Sequence, residues 1–202
     1  MVAIIDYGVG NLFSLKSSLD KIGVQSVITG DKKEISEADR IILPGVGAFG
    51  DAVNKLKDSG LFEFIKDEAK RKKPIMGICL GMQLLFDKSY EYGEYDGLGL
   101  ISGEIKPIRD IIPDSLKIPH IGWNSLKLNG VSPIFKYIND GDFVYFVHSF
   151  YGAQCENSLI AYTDYGAKIT AAVGKDNVFG CQFHPEKSGD VGLKILKAFC
   201  EV

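Results

Sequence analysis

The 202-residue sequence lacks several features that mark specialised classes of protein. Its four cysteines include no Cys-x-x-Cys pair, which argues against a structural zinc site or a disulfide framework. No apolar run reaches the length of a membrane span, and Asp6 comes too early for a signal peptide. Positive charge is not in excess, since the net charge is -3. We therefore expect a cytoplasmic protein with reduced thiols, without a metal site and with no membrane or nucleic-acid partner.

The composition is that of an ordinary globular protein. Hydrophobic residues make up 46% of the chain and charged residues 24%. No internal repeat, low-complexity segment or linker interrupts the sequence, and no cofactor-binding motif is evident. These features predict a single domain over residues 1–202 that needs no cofactor.

The two halves of the chain have different patterns. In the first half, short apolar runs at 2–5, 24–28 and 41–43 alternate with helical patterns, which predicts parallel strands with helices on both faces. Beyond residue 95, short β-branched or aromatic segments are separated by turn residues, and they predict antiparallel strands before a last helix over 192–200. The predicted fold is therefore α/β, with a central, mostly parallel sheet flanked by helices and additional antiparallel strands in the C-terminal half.

The motif Gly77-x-Cys79-x-Gly81 follows an apolar run that suits a buried strand. It has the nucleophile-elbow pattern, in which two glycines allow a sharp strand-to-helix turn that exposes the central side chain. Helical spacing of apolar residues predicts that the following helix continues through Phe86. A thiol at a helix N-terminus favours the thiolate, and the next amide, that of Leu80, can face an oxyanion. A cysteine that merely packs in a strand-helix junction would give the same pattern, so both interpretations stay open.

Two further stretches are candidates for chemistry. The loop over 44–50 contains three glycines, so it either turns sharply or brings backbone amides close to a ligand. His184 and Glu186 are two residues apart at a predicted strand end, where both side chains would leave the same face. A carboxylate beside a histidine orients the imidazole as a general base, although surface pairs of this kind are also common.

The three motifs together resemble the class I glutamine amidotransferases, whose nucleophilic cysteine and His-x-Glu pair hydrolyse the glutamine side-chain amide. The resemblance covers essentially the whole chain and implies their flavodoxin-like fold. It narrows to the family of glutaminase subunits of imidazole glycerol phosphate synthases, which act in histidine biosynthesis. The Gly-Trp-Asn sequence is the most specific of the stretches that carry this narrower resemblance, which are 6–12, 44–50, 119–124, 145–151 and 183–188.

The resemblance implies a role for each matching position. It makes Cys79 the nucleophile, His184 the general acid and base, and Glu186 the group that orients His184. The oxyanion hole would consist of the amide of Leu80 and a peptide amide in the loop that contains Val46 and Gly47. The positions that match those holding the glutamine in the family are Gly47, Gln83, Glu91, Ser149 and Phe150. The family often has tyrosine at the last of these positions.

The resemblance also implies a partner. In the family, ammonia passes to a separate cyclase subunit with a (β/α)8 barrel, which makes imidazole glycerol phosphate and AICAR, and the two subunits form a heterodimer. The positions that match this interface are Asn11, Trp123, Asn124 and Lys187. His120 and His148 are interpreted as structural or interface residues. The alternatives are a related glutaminase that supplies another acceptor, a non-catalytic partner-binding subunit, and a cysteine peptidase or other hydrolase.

Overall fold

A computed structural model describes residues 1–202 of the chain. The first half alternates strands and helices, because its short apolar runs are separated by amphipathic segments. The strands are β1 Val2–Ile5, β2 Ser26–Thr29, β3 Arg40–Leu43 and β4 Ile75–Ile78. The helices are α1 Leu12–Lys21, α2 Lys32–Glu37, α3 Phe49–Asp58, α4 Leu61–Lys70 and α5 Leu80–Leu84.

The second half is built mainly from strands. Between the strands there are only short 3-10 turns, at Ile108–Asp110, Pro133–Phe135 and Glu156–Ser158, and a fourth at Pro185–Lys187 follows the last strand. The strands are β5 Phe86–Ser89, β6 Tyr95–Asp96, β7 Ile101–Pro107, β8 His120–Ser125, β9 Lys127–Leu128, β10 Phe143–His148, β11 Phe150–Ala153, β12 Leu159–Asp164, β13 Lys168–Lys175 and β14 Val178–Cys181. One helix, α6 Gly189–Phe199, follows them.

The central sheet has eight strands in the order β2-β1-β3-β4-β14-β13-β12-β9. The first five of these run parallel to one another, and the last three continue the sheet in antiparallel fashion. Every residue of β1 and β4 is buried, as expected for central strands that are covered on both faces. The predicted α/β fold, with a mostly parallel sheet and antiparallel strands in the C-terminal half, is confirmed.

Helices cover both faces of this sheet. On one face, apolar side chains of α1 and α6 pack with Val2, Ile4 and Met76; on the other, side chains of α2 to α5 pack with Ala3 and Ile5. A two-stranded sheet, β10-β8, and a four-stranded sheet, β11-β7-β5-β6, lie outside the central sheet. None of the helices combines the length and the apolar character that crossing a lipid bilayer requires.

Two local predictions were wrong. The helix after Cys79 ends at Leu84 instead of continuing through Phe86, which begins β5. The fully buried ring of Phe86 packs against Gly152, where an added Cβ would lie 2.5 Å from the ring, so tertiary packing overrides the helical spacing. The segment near residue 101 was expected to pair only in antiparallel fashion, yet β7 pairs parallel to β5 and antiparallel to β11.

Candidate active site

The turn between β4 and α5 carries Cys79. Its backbone angles, φ 54° and ψ −113°, are ones that residues other than glycine seldom adopt. The neighbouring glycines make the turn possible: a Cβ on Gly77 would lie 2.5 Å from the carbonyl oxygen of Gly81, and one on Gly81 would lie 1.9 Å from that of Leu43. The strand-turn-helix arrangement predicted from the Gly-x-Cys-x-Gly motif is thus present in the structure.

The neighbouring strand β14 fixes the position of this turn. The backbone amide of Cys79 donates a hydrogen bond of 2.7 Å to the carbonyl oxygen of Cys181. Cys79 is buried as a residue, and its Sγ atom lies 3.8 Å from Gln182 Nε2 and 3.9 Å from the carbonyl oxygen of Val147. Because β4 and β14 run parallel, both chains leave the sheet at the same edge, where sites form in folds of this kind.

His184 lies just beyond the end of β14 and forms a pair with Glu186. His184 Nδ1 is 2.8 Å from Glu186 Oε1, and both side chains are almost fully buried. The prediction that both side chains leave the same face of a strand was wrong. The strand β14 ends at Cys181, and Pro185 begins a 3-10 turn. This turn is held against β10, since the amide of His184 donates to the carbonyl oxygen of Tyr145 at 3.0 Å.

The charge state of His184 reflects its partners. Burial alone lowers the pKa of the imidazole, but hydrogen bonds and charge interactions with Cys79 and Glu186 outweigh it and raise the pKa to about 9. With Nδ1 hydrogen-bonded to the carboxylate, Nε2 is the nitrogen left to exchange a proton with the thiol. The geometry is that of a nucleophile, a base and a group that orients the base.

The remaining cysteines have different surroundings. Burial raises the pKa of Cys155, of Cys181 and, to about 11, of Cys200. A thiol with a raised pKa contains little thiolate at neutral pH and therefore reacts slowly. None of these three cysteines lines the cavity that Cys79 lines.

Cys79 and His184 open onto a cavity of about 340 Å³ at the edge of the sheet. The cavity brings together all of the sequence-predicted oxyanion-hole and substrate-binding residues. These are Val46, Gly47, Leu80, Gln83, Glu91, Ser149 and Phe150. No group of three or more His, Cys, Asp or Glu side chains in the protein is arranged to bind a metal ion. The cavity presents the thiol of Cys79, the imidazoles of His148 and His184 and the carboxylate of Glu91 to a small ligand.

The glycine-rich loop after β3 lies over the elbow. A Cβ on Gly45 would lie 2.8 Å from the backbone nitrogen of Gly81, so only glycine allows this close approach. Tyr7 Oη donates a hydrogen bond of 2.8 Å to the carbonyl oxygen of Pro44 and holds the start of the loop. Gly47 has a φ of +92°, and no atom would crowd a Cβ there. The loop thus turns sharply and also brings its backbone to the cavity.

The side chains of Gln83 and Glu91 line the cavity and are held by hydrogen bonds to other residues of the chain. Gln83 Nε2 donates to the carbonyl oxygen of Phe150 at 3.3 Å and to Gln182 Oε1 at 2.9 Å. Glu91 Oε2 accepts a hydrogen bond of 2.6 Å from the amide of Phe49 at the start of α3. Burial raises the pKa of Glu91, and this hydrogen bond opposes the rise.

The sequence-predicted interface residues lie outside the main cavity. Trp123 is 55% exposed, and its ring meets that of Tyr145 edge-on at 6.2 Å between centroids. Lys187 is exposed with its ammonium 6.0 Å from the same tyrosine ring. Asn11 lines a small gap beside His184 and Glu186. Asn124 is half-buried, and its Nδ2 atom donates a hydrogen bond to the carbonyl oxygen of Asp164.

Sequence reasoning missed four cavity-lining residues, namely Tyr92, Pro119, Val147 and His148. For His148 a signal was available. Val144, Phe146 and His148 alternate along β10 and are all buried, so this period of two places the histidine on an inward face. Tyr92 has no comparable signal, because it lies in a turn with a φ of +53°.

Comparison with known proteins adds the family. The model of the family described as "Glutamine amidotransferase class-I" matches residues 3–201. The imidazole glycerol phosphate synthase subunit HisH of Lactococcus lactis subsp. lactis is 53% identical over 201 residues, covering 99% of this chain and 98% of the relative. The subunit of the same name from Caldanaerobacter subterraneus subsp. tengcongensis is 51% identical over 203 residues, covering 100% of this chain and 98% of the relative.

Solved structures agree on the fold. A structure described as a glutamine amidotransferase superposes with a TM-score of 0.76 at 16% identity, covering 99% of this chain and 100% of that one. A chain of PurLQS from Thermotoga maritima superposes with a TM-score of 0.74 at 21% identity, covering 99% and 97%. The chain belongs to the class I glutamine amidotransferases and, within them, to the family of the HisH subunits of imidazole glycerol phosphate synthase.

Proposed function

We propose that the chain hydrolyses L-glutamine to glutamate and ammonia, with Cys79 as nucleophile, His184 as general acid and base, and Glu186 as the group that orients His184. One observation carries the proposal. Cys79, on the elbow after β4, and His184, beyond the end of the adjacent strand β14, line the same cavity. The paired carboxylate at 2.8 Å supports the third role.

The reaction follows from these groups in two stages. The proton of the Cys79 thiol passes to His184 before the attack, which fits the raised pKa of His184. Cys79 Sγ then attacks the side-chain carbonyl carbon of glutamine, and His184 gives that proton to the departing nitrogen. Ammonia leaves and a thioester forms. His184 next takes a proton from a water molecule, which attacks the thioester carbon. The Cys79 thiol leaves with a proton, and glutamate is released.

Each stage passes through a tetrahedral oxyanion. We assign the amide of Leu80, the first residue of α5, as one donor, and a peptide amide of Val46 or Gly47 as the second. The close packing of Gly45 on Gly81 supports this assignment, because it holds the loop beside the elbow. Loss of one such donor typically lowers the rate about a hundredfold or more.

The rest of the cavity is assigned to glutamine binding. A volume of about 340 Å³ suits a ligand of amino-acid size. Glu91 is the carboxylate in the wall and complements a ligand's ammonium group. Backbone groups of Gly47, Ser149 and Phe150, together with the Gln83 side chain, supply the neutral polar contacts.

We propose that the ammonia passes to a cyclase subunit with a (β/α)8 barrel, which makes imidazole glycerol phosphate and AICAR in the cytoplasm. The relatives are named as subunits of imidazole glycerol phosphate synthase, which supports a heterodimer. The partner would cover the surface of Asn11, Trp123, Asn124 and Lys187. The exposure of Phe13, Ile121 and Trp123, at 82%, 61% and 55%, is consistent with an apolar surface that a partner covers.

Glutamate release tests the activity. The purified chain is assayed with glutamine alone, then with the cyclase subunit and its ribonucleotide ligand. Strong stimulation in the complete mixture supports the assignment to histidine biosynthesis. Glutamine turnover that is unchanged by addition of the cyclase points to a related glutaminase with another acceptor. Absence of turnover in every mixture favours a non-catalytic subunit, and turnover of peptides or esters with glutamine inert favours a different hydrolase.

Tryptophan fluorescence tests the surface, because Trp123 is the only tryptophan in the chain. Addition of the cyclase is expected to shift the emission of the wild-type chain and to leave no such change in Trp123→Phe. Val131→Ser serves as the control, since Val131 is fully exposed and lies outside the proposed surface. If Trp123→Phe and Val131→Ser weakened the binding of the cyclase equally in calorimetry, the assignment of this surface would be contradicted.

A further inference from the structure

His120 and His148 are buried histidines with no step in the proposed reaction. They face each other across the β8-β10 pair, with His120 Nδ1 3.0 Å from His148 Nε2. His148 Nδ1 lies 2.8 Å from the carbonyl oxygen of Phe150, and His120 Nε2 lies 3.3 Å from Asn124 Nδ2. Three consecutive hydrogen bonds therefore join Asn124 to the backbone of the cavity wall.

The direction of these bonds follows from the acceptor at one end. A carbonyl oxygen only accepts, so His148 Nδ1 carries a proton. Burial lowers the pKa of His148 to about 3 and that of His120 to about 4, so at neutral pH each ring has one N–H. His148 Nε2 then accepts from His120 Nδ1, and His120 Nε2 accepts from Asn124.

The other end fixes the same direction independently. Asn124 Oδ1 accepts a hydrogen bond of 2.8 Å from the amide of Ser125, and Asn124 Nδ2 donates to the carbonyl oxygen of Asp164 at 2.9 Å. These backbone partners determine which side of the Asn124 amide is the donor. The His120 ring is held between Phe146 and Tyr165, with centroids at 4.8 Å and 4.1 Å. Neither the amide nor the ring is free to reorient.

The chain of hydrogen bonds continues to the nucleophile. The carbonyl oxygen of Phe150, which accepts from His148, also accepts from Gln83 Nε2 at 3.3 Å. Gln83 Nε2 donates in addition to Gln182 Oε1 at 2.9 Å, and Gln182 Nε2 lies 3.8 Å from Cys79 Sγ. A buried polar chain thus runs from the strand that carries Trp123 and Asn124 to the reactive sulfur.

We propose that His120 and His148 are positioning residues, which hold the carbonyl of Phe150 and the cavity wall around it in the orientation that glutamine binding requires. This inference rests on the proposed function, because glutamine is its ligand. The donor that His148 gives to Phe150 is the central contact. Without it, the carbonyl keeps only the longer bond from Gln83.

Two substitutions of His148 separate its two hydrogen bonds. His148→Asn places an amide nitrogen near the Nδ1 position and keeps the donor to Phe150, whereas His148→Gln places its amide near the Nε2 position and keeps only the contact with His120. Loss of one buried hydrogen bond is worth about one order of magnitude in an equilibrium. We expect His148→Gln to raise the KM for glutamine about tenfold with kcat within threefold, and His148→Asn to raise it less than threefold.

Binding measured without turnover provides the second readout. Titration of glutamine into Cys79→Ala chains that carry either His148 substitution is expected to give the same tenfold difference in Kd. Equal weakening by Asn and Gln, in KM and in Kd, would overturn the inference and leave His148 a packing residue. If the wild-type chain neither turns over nor binds glutamine, the proposed function itself fails.

Asn124→Leu is a milder variant at the far end of the chain of bonds, for use where His148 variants unfold. It removes the donor to His120 from a half-buried position, and we expect about a threefold rise in KM. Asn129→Leu is the matched control, because Asn129 Nδ2 also donates to a backbone carbonyl, that of Leu159, but has no link to the histidines. Equal effects of both asparagine substitutions would contradict the positioning role.

Discussion

His184 and His148 line the same cavity and are both buried, yet their pKa values move in opposite directions. His148 faces a carbonyl oxygen and a second imidazole, and burial lowers its pKa to about 3. His184 faces a carboxylate and a thiol, which overcome burial and raise its pKa to about 9. One imidazole is suited to carrying a proton during a reaction and the other to holding a fixed tautomer.

The largest expected effect comes from removing the nucleophile. Cys79→Ala should lower glutamine turnover by at least about 10⁴-fold, since the rest of the site cannot form the thioester. Glutamate release with the partner present measures this. The His184 pKa should fall from about 9, because Cys79 is the first of the partners that raise it, and proton NMR titration of the chain's three histidines follows it. Substantial turnover by the variant would remove Cys79 from its proposed role.

Glu186→Gln should bring His184 closer to His148. Without the carboxylate, the His184 pKa should fall from about 9, and the imidazole also loses the acceptor that orients it. We expect turnover to fall by about 10³-fold to 10⁴-fold, as for other triads that lose their carboxylate. The same NMR titration checks the pKa. A His184 pKa that stays near 9 would show that the contrast between the two histidines does not depend on Glu186.

The two kinds of histidine should stabilise the fold in opposite pH ranges. The raised pKa of His184 gives stability that is complete below about pH 6.5 and is lost as the pH rises through about 9. The lowered values of His120 and His148 give stability that is complete above about pH 6.5 and falls toward pH 4, by about 1.4 kcal/mol per pH unit for each histidine.

Urea unfolding from pH 4 to pH 9.5 measures these windows. The stability difference between wild type and Glu186→Gln should shrink as the pH rises from 6.5 through about 9. The difference between wild type and the double variant His120→Asn, His148→Asn should shrink on the acid side only. The contributions of carboxylates common to all three proteins cancel in these differences. If both differences shrank on the same side of neutral pH, the opposite behaviour of the two kinds of histidine would be contradicted.

The smallest expected effect tests burial by itself. Tyr165 is half-buried and stacks on His120 at 4.1 Å with rings 24° apart. Tyr165→Ala should let water reach the ring and raise the His120 pKa from about 4 toward 6.5, with His148 changed less. NMR titration measures both values. An unchanged His120 pKa would mean that Tyr165 is not the group that keeps water from it.

Most of the site could be predicted from the sequence because its motifs are local. Glycine at 77 and 81 is required by backbone contacts closer than a side chain allows, so the elbow can be recognised from spacing alone. The end of α5 was not predictable, because packing of Phe86 on Gly152 depends on a strand far along the chain. The pairing of His120 with His148 was hidden for the same reason, since it depends on the register between β8 and β10.

The place of β14 in the sheet also bears on synthesis of the protein. This late strand inserts between β4 and β13 and holds the amide of Cys79 through Cys181. At about 5–20 residues per second, a ribosome needs on the order of 10 s to pass from the elbow to this strand. Until then the nascent chain has its thiol but lacks His184, the proposed base. With these proposed roles, glutaminase activity would arise only after nearly the whole chain has emerged, and abandoned fragments would not consume glutamine.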